Sequence, residues 1–273
     1  MSKQLKLLII AVLAIFSMVV FAGCGADQDA AKSEKKSIKV GVTAGPHAEI
    51  LEAVKKVAEK DGLNVEIIEF NDYVQPNMAL SQGEIDLNSY QHQPFLDAQV
   101  NDRGYKIESV AKTVIFPIGI YSQKVKAIAD VKDGSIVSIP NDPTNGGRAL
   151  LLLEKVGLIK LKPNAGLSAT AADIAENPKN LQIKELEAAQ VPLSLKDVDL
   201  AVINTNFAIV AGLVPTKDSL AMEDANSPYA NVIAVQSKDK DNPVYKKFIK
   251  AYQSDEVKAF IDEHFKGSTI AAW

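Results

Sequence analysis

The chain has 273 residues, 47% hydrophobic and 23% charged, with 34 acidic against 30 basic side chains and a formal net charge of −4. That length can bury a substantial core, and a mildly acidic surface argues against a nucleic-acid groove or a polybasic membrane patch. A single cysteine leaves no intrachain disulfide to form.

Lys3 and Lys6 precede an apolar run over 7–20, which ends in Phe21-Ala22-Gly23-Cys24. A basic start, an apolar stretch too short for a comfortable membrane span and small residues before a cleavage point predict a secretory signal over 1–23. Small residues directly before the only cysteine resemble the lipobox of bacterial lipoproteins, with Phe21 where Leu is usual. Cys24 is therefore the expected lipidation site and mature N-terminus. The following GADQDAAKSEKKS has no aromatic or β-branched residue, and a flexible tether is expected over 24–37.

IKVGVT (38–43) alternates into a strand, and Pro46 opens a helix in which Ile50, Leu51, Val54, Val57 and Ala58 recur at helical spacing. VEIIEF, IDLNSY, VIFPIGIY, SIVSIP, LQIKEL, DLAVIN and NVIAVQ predict further short strands, most followed by a helical stretch. A last long helix is expected over about 243–265, with Val244, Phe248, Ala251, Tyr252, Val257, Phe260 and Ile261 on its apolar face. This order predicts an α/β protein of mixed, mainly parallel sheets flanked by helices. The polar segment 122–134 and the turn-rich Asn226-Ser227-Pro228-Tyr229 predict two crossings between two sheets. One lobe then comprises 38–123 with 231–273, the other 124–230, and a cleft lies between them. Ligands of open α/β sheets sit at the carboxyl ends of strands, so residues just past strands are the candidates.

SIPNDPTNGGRAL (138–150) lies between a predicted strand and a predicted helix. Thr144 or Asn145 is suited to cap the helix, and Gly146 and Gly147 would let a ligand approach the backbone closely. Free N–H groups and the helix dipole favour an anion, and Arg148, one turn in, matches a carboxylate in bidentate fashion. No Lys-Ser/Thr follows the glycines, so a nucleotide-binding P-loop is excluded. Tyr73 in FNDYVQPN follows one strand, Tyr90 and His92 in NSYQHQPF follow another, and Phe116 stands beside a proline in VIFPIGIYS. Together these suit an apolar or thioether side chain. Asn204, Asn206 and Asn231 add neutral donors and acceptors near the junction, the mixture that a zwitterion needs.

FNDYVQPNMAL, SYQHQPFLD, DRGYKI, FPIGIYS, IPNDPTNGGRALLLLEKVGLI, ENPKNLQIKELEAAQ, AVINTNFA and AYQSDEVKAFI closely resemble the methionine-binding lipoprotein family of bacterial ABC importers. The resemblance runs from about residue 38 to 273. It implies a two-lobed periplasmic-binding-protein fold, type II-like, that captures methionine between its lobes and delivers it to a membrane permease and its ATPase subunit. The matching positions imply an aromatic and histidine pocket of Tyr73, Tyr90, His92 and Phe116, with polar anchors at Asn141, Asn145, Arg148, Asn204 and Asn231; Asn206 matches more weakly. A monomer in the cell envelope, lipid-anchored on the extracytoplasmic face, is expected. Relatives that bind other small amino acids or dipeptides leave those ligands as alternatives. An enzyme is not expected, since no G-x-S-x-G motif or Ser/His/Asp constellation is evident. No metal or other cofactor is expected either, with His47, His92 and His264 far apart in sequence.

Overall fold

A computed structural model describes residues 37–224 and 227–273. The expected signal, Cys24, the tether up to residue 36 and Asn226 of the second crossing lie outside the described residues. In chain order come β1 (Ser37–Thr43), α1 (Pro46–Lys60), β2 (Asn64–Phe70), α2 (Gln75–Gln82), β3 (Leu87–His92), α3 (Gln93–Arg103), β4 (Ile107–Lys112) and β5 (Val114–Ile115). There follow β6 (Gly119–Tyr121), β7 (Ile136–Pro140), α4 (Pro143–Lys155), the antiparallel pair β8 (Lys160–Leu161) and β9 (Ile174–Glu176), then β10 (Gln182–Leu186), β11 (Leu200–Ile203), α5 (Thr205–Val210), α6 (Pro215–Asp218) and β12 (Ser219–Met222). The chain closes with β13 (Asn231–Gln236), α7 (Pro243–Tyr252), α8 (Asp255–Phe265) and β14 (Ile270–Ala271).

Two five-stranded sheets result, ordered β2-β1-β3-β13-β4 and β10-β7-β11-β6-β12. In each, two neighbouring pairs are parallel and two antiparallel, so the sheets are mixed in equal measure rather than mainly parallel. The parallel pairs come from strand–helix–strand units, while β13 and β6 enter their sheets from the crossings and run the other way. Alternation in β1 buries Ile38, Val40 and Val42 against Ile50, Leu51 and Val54 of α1, and the same core takes Phe248, Tyr252 and Ile261. The second sheet has a separate core around Val137, Ile139, Leu150, Leu153 and Val202.

Two boundaries differ from those read in the sequence. Gly119–Tyr121 pairs with β11 and β12 in the second sheet, so the first crossing falls at 116–118, ahead of the polar 122–134 segment. Pro117, which lacks an N–H, stands at that break and splits the expected VIFPIGIY strand into β5 and β6. The last long helix is also two helices, because the Ser254 hydroxyl accepts from the Val257 N–H and starts α8 afresh.

Gly45, between β1 and α1, has φ +83°, and a side chain there would run into Val210 of α5. The turn therefore needs glycine for its backbone and for the approach of the two halves.

Candidate ligand-binding site

Where side chains from the two sheets' halves converge, they line a partly open pocket of about 20 Å³, room for about one water molecule. From the first sheet's side come His47 in the first turn of α1, Tyr73 after β2, Tyr90 and His92 in β3, and Phe95 of α3. From the second come Asn145 and Arg148 of α4, with Asn204 and Asn206 at the start of α5; Phe116 and Asn231 stand at the crossings. Tyr90 and His92 thus belong to the strand itself rather than to the loop after it.

The start of α4 differs from its expected form. Its cap is Asp142, whose carboxylate accepts from the Asn145 N–H at 2.9 Å, with Pro143 opening the first turn. The anion favoured at this helix terminus is therefore the chain's own carboxylate. Nor do the glycines face a ligand: a Cβ on Gly146 would meet the Pro140 carbonyl, and one on Gly147 the backbone of Leu167 and Ala169. They admit the protein's own main chain. Asn141 is exposed and lines a neighbouring opening with Asp72, Glu187 and Phe207 rather than the inner pocket.

Asn145 is the hub of the polar network. Its amide nitrogen donates to both Asp142 oxygens at 3.0 Å, and its oxygen accepts from Asn204 Nδ2 at 2.8 Å and from His92 Nε2 at 3.1 Å. The His92 tautomer follows, since Nδ1 accepts from the Phe95 N–H and the proton must sit on Nε2. His47 is the opposite tautomer: Nε2 accepts from Asn231 Nδ2 at 2.9 Å, so Nδ1–H donates to Thr43 Oγ1 at 2.7 Å. Tyr73 Oη donates to Asn206 Oδ1 at 2.6 Å, and Tyr90 Oη donates to the Tyr73 carbonyl at 2.9 Å. With those bonds made, Asn204 Oδ1 and Asn206 Nδ2 remain buried with no hydrogen-bond partner among the described residues. One is an open acceptor and the other an open donor, each costly to leave dry and unpaired.

Arg148 is 4% exposed and not a free cation. Its Nε donates to both Glu223 oxygens at 3.1 Å, Nη2 donates to Glu223 and, at 2.8 Å, to the Phe116 carbonyl, and the guanidinium lies 4.3 Å from the Tyr229 ring centre. Nη1 has no hydrogen bond among the described residues.

Burial holds both histidines neutral, each with its pKa lowered from 6.5 to about 3, and in His92 the Arg148 charge adds to the effect. Burial likewise drives the Tyr73 and Tyr90 phenols upward. Because the folded values are depressed, the unfolded chain binds more protons between about pH 6.5 and 3. The histidine contribution is whole above 6.5 and is lost as the pH falls towards 3. Urea unfolding between pH 7 and 4 is expected to show stability falling with pH, and His92→Gln to flatten that slope.

His47, Phe95, Gln91, Tyr229 and Glu223 belong to the site or its backing and were not singled out by sequence as binding residues. A position just past a strand, the signal that marks Tyr73, marks His47 as well. Glu223 follows β12, a strand not expected from the sequence, and its partner is 75 residues away.

Two α/β halves around a shared pocket, lined by aromatic rings, a buried cation and amides with unpaired polar atoms, make a two-lobed substrate-binding protein. The sequence profile of the NlpA lipoprotein matches residues 38–273. A D-methionine-binding lipoprotein MetQ of Salmonella typhimurium is 52% identical over 266 residues, 96% of this chain and 97% of that one. Its Escherichia coli counterpart is 50% identical over the same shares of the two chains. Among solved structures, a nutrient binding protein from Burkholderia cenocepacia bound to methionine superposes with a TM-score of 0.85 at 60% identity, covering 86% of this chain and all of that one. The chain belongs to the NlpA lipoprotein family.

Proposed function

We propose that this protein captures methionine in the pocket between its two halves and hands it to the permease and ATPase subunits of an ABC importer. The observation that carries the reading is that one pocket combines neutral rings with a buried cation and two unpaired amide atoms. Neutral rings of Tyr73, Tyr90, His92 and Phe116 suit a thioether chain, while Arg148, Asn204 Oδ1 and Asn206 Nδ2 suit a carboxylate and an ammonium. Methionine in the 60%-identical structure supports it. Capture and release, not catalysis, is the work of such a site. The two sheets serve as jaws, and the crossings at 116–118 and 227–230 as the hinge between them.

Calorimetric titration of the purified, ligand-stripped protein with single amino acids is expected to give one methionine per chain and weaker binding of smaller aliphatic amino acids. Equal affinity for alanine, or none for methionine, sinks the reading.

The anchor belongs to the same proposal: Cys24 carries the lipid and holds a monomer on the extracytoplasmic face of a membrane. No helix among the described residues is long and apolar enough to cross one. Changing Cys24 to Ser is expected to move the protein from the detergent phase to the soluble fraction, and unchanged partitioning overturns the anchor.

A further inference from the structure

Glu223 does not line the cavity, yet it fixes the electrostatics of the wall that does. It stands at the end of the second sheet's edge strand, its side chain 15% exposed, and meets Arg148 through Nε and Nη2. The guanidinium is thereby held in one plane, over Tyr229 and under the Phe116 carbonyl, with Nη1 left over. Among the described residues beside it, no other cation is left unpaired. His47 and His92 are neutral, Asp142 adds a carboxylate bound by Thr144 and Asn145, and Lys155 is matched by Asp224 at 2.6 Å. One buried cation is thus paired with one carboxylate, that of Glu223.

We propose that Glu223 is a positioning residue that restricts the site to zwitterions, by neutralising Arg148 so that a ligand's carboxylate is accepted only with its own ammonium group. The inference rests on the reading of the ligand as an amino acid. An anion brought alone into this cavity would set a second negative charge against the one cation, a repulsive cost that works through discrimination more than through affinity. A zwitterion adds none, and Asn204 Oδ1 is the unpaired acceptor for its ammonium.

The test compares methionine with its α-hydroxy acid analogue, a monoanion of nearly the same shape whose hydroxyl can still donate to Asn204. Titration calorimetry on the unaltered protein is expected to favour methionine by at least ~100-fold, and Glu223→Gln to narrow that ratio by at least ~10-fold, the effect of one buried charge. Glu223→Asp, which keeps the charge, is expected to keep the ratio even where both affinities drop. Glu223→Met gives the same neutral test should the amide variant not fold. A ratio unchanged in both neutral variants, or narrowed equally in Glu223→Asp, overturns the inference while leaving methionine binding intact. Absence of methionine binding by the unaltered protein overturns the reading of the ligand and the inference with it.

Discussion

Arg148→Ala is expected to weaken methionine binding by roughly 30-fold to several thousand-fold, the equivalent of about 2–5 kcal/mol for losing one partner of a desolvated charge pair. Among the described residues that line the pocket, Arg148 is the only cation. Its removal leaves the ligand's carboxylate facing amides alone, and it also leaves Glu223 without its partner and the Phe116 carbonyl without a donor. Stability and affinity therefore fall together, and thermal unfolding beside calorimetry separates them. Methionine methyl ester, which lacks the anion, is expected to lose far less than methionine in the same variant. A folded Arg148→Ala protein that binds methionine as tightly as the unaltered one refutes the carboxylate role.

Asn145→Ala acts on the network that joins the two halves. The Asn145 oxygen is the shared acceptor for His92 Nε2–H and Asn204 Nδ2–H, and all three residues are buried. Removing it strands two buried donors at about 1–3 kcal/mol each, so a destabilisation of roughly 2–6 kcal/mol is expected in urea unfolding, along with weaker ligand binding. Asn204→Ala removes one donor and its bond without stranding His92, and is expected to cost less. A loss no greater for Asn145→Ala than for Asn204→Ala contradicts the hub.

Where the site's residues are marked by local pattern, the sequence reveals them. Tyr73 follows a strand, and Asn145 and Arg148 lie in the first two turns of a helix expected from the sequence, although its cap is Asp142 rather than Thr144 or Asn145. Helical spacing likewise identified the buried faces of α1, α7 and α8, and Phe260 and Val57 are the positions there that stay partly exposed. What stayed hidden depends on pairing across the fold. Nothing near Glu223 says that it meets Arg148, and nothing near Gly147 says that its missing side chain makes room for Leu167 rather than for a ligand. The break at Ser254 was missed for a different reason, since the apolar period continues across it while a single hydroxyl redirects the backbone.

The order of the first sheet bears on when it can form. β13 lies between β3 and β4 and pairs antiparallel with both, yet it is the last of the five strands to be synthesised. Until it arrives, β3 and β4 have no mutual partner and each presents a bare edge, so this sheet cannot be completed before the whole intervening sheet has been made. The segment begun first is finished last, and its closure brings together residues more than a hundred positions apart, a slow step for any chain. A chain made only as far as β12 therefore leaves the facing edges of β3 and β4 unpaired, and the half that carries Tyr90 and His92 is complete only once β13 has been added.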